Sequence, residues 1–393
     1  DGGAPARDPG IEQVLAGELP RLVAAGAARR PEDVAALRDH AAFAGHGDAL
    51  RSAWRGLIDC LDRWLALDEA RPGYRRTARE LRARAIAVSD QLAAARLGYY
   101  LDATLLPEHG RRPPGLSTYR IEDVAFVRAN TERTRVLGLR RLDRRDDVAA
   151  LGMANDEHDP VVLLGQVDEK VEHQVLPILA GADFPIGDDG WQHSRRGRRL
   201  AQIAAGAIRR ELHAALGPDA ADAAGPAALD RTAARCRRLV ASSVGRHEAQ
   251  HGIDRGRGGL RHPQALVAVL GRASQPFALR ARLELSAYIS QIASDTWLPQ
   301  LVLWNLARHA FRGTYVGHEE SYVAIVTLEG LARHFGLLPP GPLIRENGEV
   351  DRDRLAALVE PLADIGTLEL RSAAAALWAE LFGEPLVRIY DDL

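Results

Sequence analysis

The sequence predicts a mainly helical α+β protein, and three observations carry that expectation. Long stretches on both sides of the middle repeat apolar residues at helical intervals. Between Ser117 and about Ile186 the texture changes to short β-branched and aromatic runs separated by turn residues. Within one helix-period stretch, Leu239–Gly252, two histidines and a glutamate stand in the arrangement His247-Glu248-x-x-His251.

In chain order, residues 1–10 read as a flexible leader of Gly, Pro, Ala and Asp. Residues 11–105 read as a helical N-terminal region. Pro31-Glu-Asp makes a good helix start there, with proline in the first turn and acids at the positive end. Residues 106–117, centred on Pro107-Glu-His-Gly-Arg-Arg-Pro-Pro-Gly, break the pattern and read as a linker. Residues 118–190 read as a small β-sheet. Two of its strands flank Asn130-Thr-Glu-Arg133, and a third lies in the run Pro160–Asp168. The acidic cluster Asn155–Asp159 lacks the ligand spacing of a calcium loop and reads as a polar turn. Residues 191–336 return to helix and carry the histidine pair, and residues 337–393 read as a C-terminal helical scaffold.

Composition excludes several classes. A net charge of −2 gives no electrostatic case for nucleic acid or an anionic membrane. Basic residues number 51 and only Lys170 is lysine, a bias that reads as compositional drift towards arginine. No apolar run reaches the eighteen residues of a membrane span. The 2 cysteines, Cys60 and Cys236, do not make a disulfide framework, and pairing or single burial both stay open. The 1 methionine is Met153, so the chain as given does not begin at an initiator. Either an export signal has been removed or the chain is truncated; the expectation is export from a bacterium, as a periplasmic, membrane-tethered or secreted protein.

The chemistry lies in the histidine pair. Residues four apart on a helix sit one above the other, so both imidazoles reach one point. Two neutral histidine nitrogens close half of a tetrahedral zinc site. Glu248, one residue on from His247, is turned about 100° around the helix and is placed to handle a proton, not the metal. Cys236, Val240, Val244, His247 and His251 form one continuous stripe, and Gly252 offers a helix stop. Cys236 is eleven residues before His247, about 16 Å along an unbroken helix, and is excluded as a ligand.

Three residues are candidates for the third ligand: Glu284, Asp254 and His262. Glu284 opens a stripe of Glu284, Tyr288, Gln291 and Asp295 on a helix otherwise rich in Leu, Ile and Ala. His247-Glu-x-x-His251 followed by Glu284-Leu-Ser-Ala-Tyr288 resembles the gluzincin group of zinc metallopeptidases, over roughly residues 230–325. The resemblance implies a zincin-like core whose sheet edge binds the substrate backbone, and zinc held by His247, His251 and Glu284. It also implies hydrolysis of a peptide or protein substrate with Glu248 as general base. His318, Tyr288 or Tyr315 would then donate to the oxyanion. The same residues leave open a non-peptide substrate, or a zinc-bearing interaction protein without turnover.

Overall fold

The computed structural model describes residues 5–67, 73–104, 115–143, 151–153, 159–217, 226–256, 259–271, 273–314, 316–338 and 341–392. Tyr315, most of the 1–10 leader's first half, most of the expected linker and residues 155–158 of the acidic cluster lie outside them. The described chain is mainly helical with a small mixed sheet, an α+β architecture. No described helix is long and apolar enough to cross a membrane. Two compact units divide the chain. One comprises Asp1–Val124, Leu137–Ala149 and Leu163–Gly165, and the other Ala125–Val136, Ala150–Val162 and Gln166–Leu393.

The first unit contains α1 (Pro9–Gln13), α2 (Leu19–Ala25), α3 (Pro31–Arg38), α4 (Asp48–Leu65) and α5 (Tyr74–Ala94). Pro31 stands in the first turn of α3 with Glu32 and Asp33 beside it, where the exposed N–H groups and dipole favour acids. Helix α4 buries Trp54, Leu57, Ile58, Leu61 and Trp64. Phe43 stacks on Trp54 at 4.1 Å, and the Trp54 indole N–H donates to Leu37 O at 2.8 Å. The helical reading of residues 11–105 overshoots. Helix α5 ends because Arg96 turns left-handed at φ 58° and Leu97 N–H bonds back to Leu92 O at 2.8 Å. Strand β1 (Tyr99–Thr104) follows and pairs antiparallel with the start of β2 (Gly115–Ala129). An apolar run this short cannot be assigned to strand or helix by periodicity alone.

Strands β2 and β3 (Glu132–Arg141) leave a turn between them in which Asn130 takes φ 55°, as the turn residues there suggest. With β4 (Gly152–Met153) and β5 (Val161–Leu163) the strand order is β1-β2-β3-β5-β4, and β6 (Ile389–Asp391) pairs with the end of β2. The third expected strand is cut short. Helix α6 (Leu164–Lys170) begins directly after β5, because Val167, Val171 and Val175 recur every four residues and bury one helical face.

The second unit is otherwise helical: α7 (Leu176–Leu179), α8 (Arg195–Leu216), α9 (Pro226–Gly256), α10 (Gln264–Leu270) and α11 (Gln275–Ser294). It continues through α12 (Pro299–Phe311), α13 (Glu319–His334), α14 (Arg352–Val359) and α15 (Thr367–Phe382). Gly245 lets α9 approach the sheet, since a Cβ there would lie 3.3 Å from Val136 Cγ1. The expected stop at Gly252 does not occur. That glycine keeps helical φ, and α9 runs on to Gly256 with Asp254 buried and bound by Gln250. Cys60 and Cys236 are each free and buried.

Candidate metal centre

Helices α9 and α11 lie side by side and present their polar stripes to each other. On α9 the stripe Cys236, Val240, Val244, His247 and His251 is buried along its length. Each member of the α11 stripe meets it or its neighbours. Glu284 reaches both histidines, Tyr288 packs on His247, Gln291 bonds His247, and Asp295 pairs with Arg246. A polar stripe on an apolar helix here faces a partner helix, not water.

The three donors converge. His247 Nε2 and His251 Nε2 are 3.2 Å apart. Glu284 Oε2 is 3.4 Å from His247 Nε2, and Glu284 Oε1 is 3.5 Å from His251 Nε2. Donors at about 2.0–2.1 Å from a tetrahedral zinc would be about 3.3–3.4 Å from one another. Two neutral-capable nitrogens and a carboxylate at this spacing fit zinc in both chemistry and size. Among the described residues these three form the group able to hold a metal ion.

The surroundings prepare the donors. Gln291 Nε2 donates to Ser243 O at 3.1 Å and to Ser243 Oγ at 3.0 Å, which turns its carbonyl oxygen towards His247 Nδ1, 3.2 Å away. Nδ1 therefore carries the hydrogen, and the free lone pair of His247 points from Nε2 into the triad. Burial works against a proton on His247, yet Glu284 and neighbouring carboxylates outweigh it and raise its pKa. Burial pushes His251 down to about 4. Glu284 is held at about 2: burial opposes ionisation, and the two ligand histidines with His309 overcome it. At neutral pH the carboxylate is ionised and His251 is bare, both in the form that binds a cation.

Glu248 differs from every polar neighbour on α9. It is 7% exposed, and among the described residues no side chain or backbone group hydrogen-bonds its carboxylate. Burial raises its pKa to about 7. Strand β4 passes directly over it. A Cβ on Gly152 would stand 2.7 Å from Glu248 Cγ and Oε1 and 2.8 Å from Val161 O, so this strand needs glycine there. The reading of residues 118–190 missed β4, because a two-residue strand leaves no periodic signal.

The other candidates separate. Asp254 is not among the converging donors; its Oδ1 accepts from Gln250 Nε2 at 2.5 Å, and Gln250 Oε1 accepts from Ser290 Oγ at 2.8 Å. His262 is exposed and also outside the group. His318 is exposed at the N-cap of α13. Tyr288 meets the triad, its ring edge-on to His247 at 4.6 Å. His309 faces Tyr288 at 6.4 Å and helps hold Glu284 ionised. A lone histidine on an apolar helix carried no spacing partner to reveal that. Arg246, beside the first ligand and 3% exposed in its side chain, is clamped by Asp391 at 2.7 Å and Asp295 at 3.4 Å. Comparison with protein-family models, with curated proteins and with solved structures finds no match to the chain.

Proposed function

We propose that the chain is a zinc-dependent hydrolase of peptide bonds, with a zincin-like core of the gluzincin type. His247, His251 and Glu284 would hold the metal. The observation that carries this reading is the pairing of a convergent donor triad with Glu248, a buried carboxylate without a hydrogen-bond partner among the described residues. A purely structural zinc site would be closed by a fourth protein donor. The group among the described residues has three.

When bound, zinc supplies Lewis acidity that acidifies water and polarises a carbonyl. Glu248 takes the proton of the attacking water on its carboxylate and returns it to the leaving amine. Burial brings its carboxyl to about 7 in the metal-free site, well above an exposed glutamate. Gln291 keeps His247 in the ligand tautomer throughout. Tyr288 is assigned as the donor to the developing oxyanion, being the described candidate in ring contact with the triad. Strand β4 ends the strand order beside Glu248, and an extended peptide added to that edge would run past the proton acceptor. That placement favours a peptide over a compact small molecule.

The test is cleavage of a mixed peptide library by zinc-loaded protein and by Glu248→Gln. The variant keeps shape but cannot accept the proton, so it should retain zinc and lose hydrolysis on the order of 10²-fold or more. Undiminished hydrolysis in the variant, or none in the zinc-loaded wild type, would overturn the proposal.

A further inference from the structure

Lys170, the single lysine of the chain, stands at the end of α6 in the second unit. Its ammonium donates to Asn305 Oδ1 at 3.0 Å, and Gln174 Nε2 donates to the same oxygen at 3.0 Å. Asn305 is held in that orientation because its amide nitrogen is bound to Leu301 O at 2.8 Å. An ammonium has three donors, and this one has a single protein acceptor among the described residues. No carboxylate of the described residues lies within ion-pair distance of it.

The charged group that acts on it is another cation, Arg308. Both act on His309 together with Arg312. Asp188 already serves two of them, bonding Arg308 at 2.7 Å and also Arg312. Asp188 is thus taken up by two arginines, and Lys170 has no carboxylate partner among the described residues. A cation withdrawn from water without a partner carries a desolvation cost. Lys170 as a residue keeps part of its surface in solvent, although its ammonium is deeply surrounded by protein.

Its position ties it to the metal centre. Asn305 and His309 are one turn apart on α12. His309 faces Tyr288, and Tyr288 packs against His247. We propose that Lys170, oriented by Asn305, forms a carboxylate-binding subsite linked to the triad through His309 and Tyr288, and takes an anionic group of the substrate. The identity of the ligand as substrate rests on the hydrolase reading; the subsite itself does not. A peptide offers carboxylates of two kinds, its C-terminal end and its acidic side chains.

A single lysine makes the test direct. Protein carrying isotope-labelled lysine gives one side-chain resonance, which is followed with and without zinc. The probes are acetyl-trialanine, its C-terminal amide, and the amide of acetyl-Ala-Glu-Ala. A saturable shift with the free acid and none with the neutral amide is the expected result, assigning a C-terminal carboxylate. A shift with the glutamate peptide instead supports the subsite with a side-chain source. Lys170→Met should weaken the responding peptide's binding by about 10-fold or more, the usual weight of a charged hydrogen bond. Silence towards both carboxylate peptides, or an equal shift with the neutral amide, overturns the subsite, and the wild-type resonance decides even if the variant does not fold. The metal-free titration remains readable if zinc does not bind, so the subsite and the hydrolase reading fail separately.

Discussion

The interiors of the two units are built differently. The first packs Phe43, Trp54, Leu57, Trp64 and their neighbours into an apolar cluster with few buried polar groups, some of them bonded across the unit and others, such as the Trp64 indole N–H, without a hydrogen-bond partner among the described residues. Thr118 Oγ1 donates to Leu15 O, and Ser89 Oγ bonds Leu101 in both directions. The second unit instead buries seven of the twelve residues from Ser243 to Asp254 as polar or charged side chains. Burying polar groups costs stability unless each is hydrogen-bonded. Most are, through Gln291, Asp391 and Ser290, but Glu248 is not. An apolar interior supports shape, whereas a polar one of this density is what the proposed metal chemistry would need.

Substitutions can break that contrast. Trp54→Ala should cost the first unit about 3–5 kcal/mol in chemical denaturation, with zinc stoichiometry at the triad unchanged in the folded fraction. Glu211 comes next. It is buried at the start of α12, where Gln300 N–H and Thr367 Oγ1 bond it, and burial raises its pKa to about 8. A raised carboxyl binds its proton more tightly when folded, so its stabilisation is complete below about pH 4.5 and is lost as pH climbs to about 8. Wild type should therefore lose on the order of 2–4 kcal/mol relative to Glu211→Gln between those limits, measured as the difference between two denaturation series. A flat difference would show that the helix terminus keeps this carboxylate ionised.

Gly152→Ala probes the contact between β4 and α9. The new methyl meets Glu248 and the Val161 carbonyl, so hydrolysis should fall on the order of 10²-fold through misplacement, with zinc affinity preserved. Gln291→Leu should do the opposite. Without its carbonyl the His247 tautomer is no longer fixed, and zinc affinity should drop roughly 10- to 100-fold by competition with a chelating dye, while the helical circular dichroism stays unchanged.

Much of the site was legible because helical spacing is a local property. His247 and His251 share a face by their four-residue interval, and Glu284, Tyr288, Gln291 and Asp295 declared a second face the same way. The mainly helical class followed from the same periodicity. What stayed hidden depends on long-range approach. Gly152 matters only because Glu248 arrives from another element, and Lys170 looked like a compositional remnant until Asn305 and Arg308 surrounded it. Glycine misled at 252, since its sequence signal for a stop is identical whether φ turns positive or stays helical. Strand β1 was absorbed into the preceding helix for want of any breaker before Arg96 and Gly98.

His247, His251 and Glu284 are proposed to form a zinc site. Titration calorimetry of metal-free protein with zinc, beside Glu284→Gln and Asp254→Asn, tests it most directly. The account predicts one zinc per chain in wild type, affinity weakened by at least about 10-fold in Glu284→Gln, and wild-type binding in Asp254→Asn. Absence of zinc binding in the wild type, or loss in Asp254→Asn with Glu284→Gln unaffected, would contradict it.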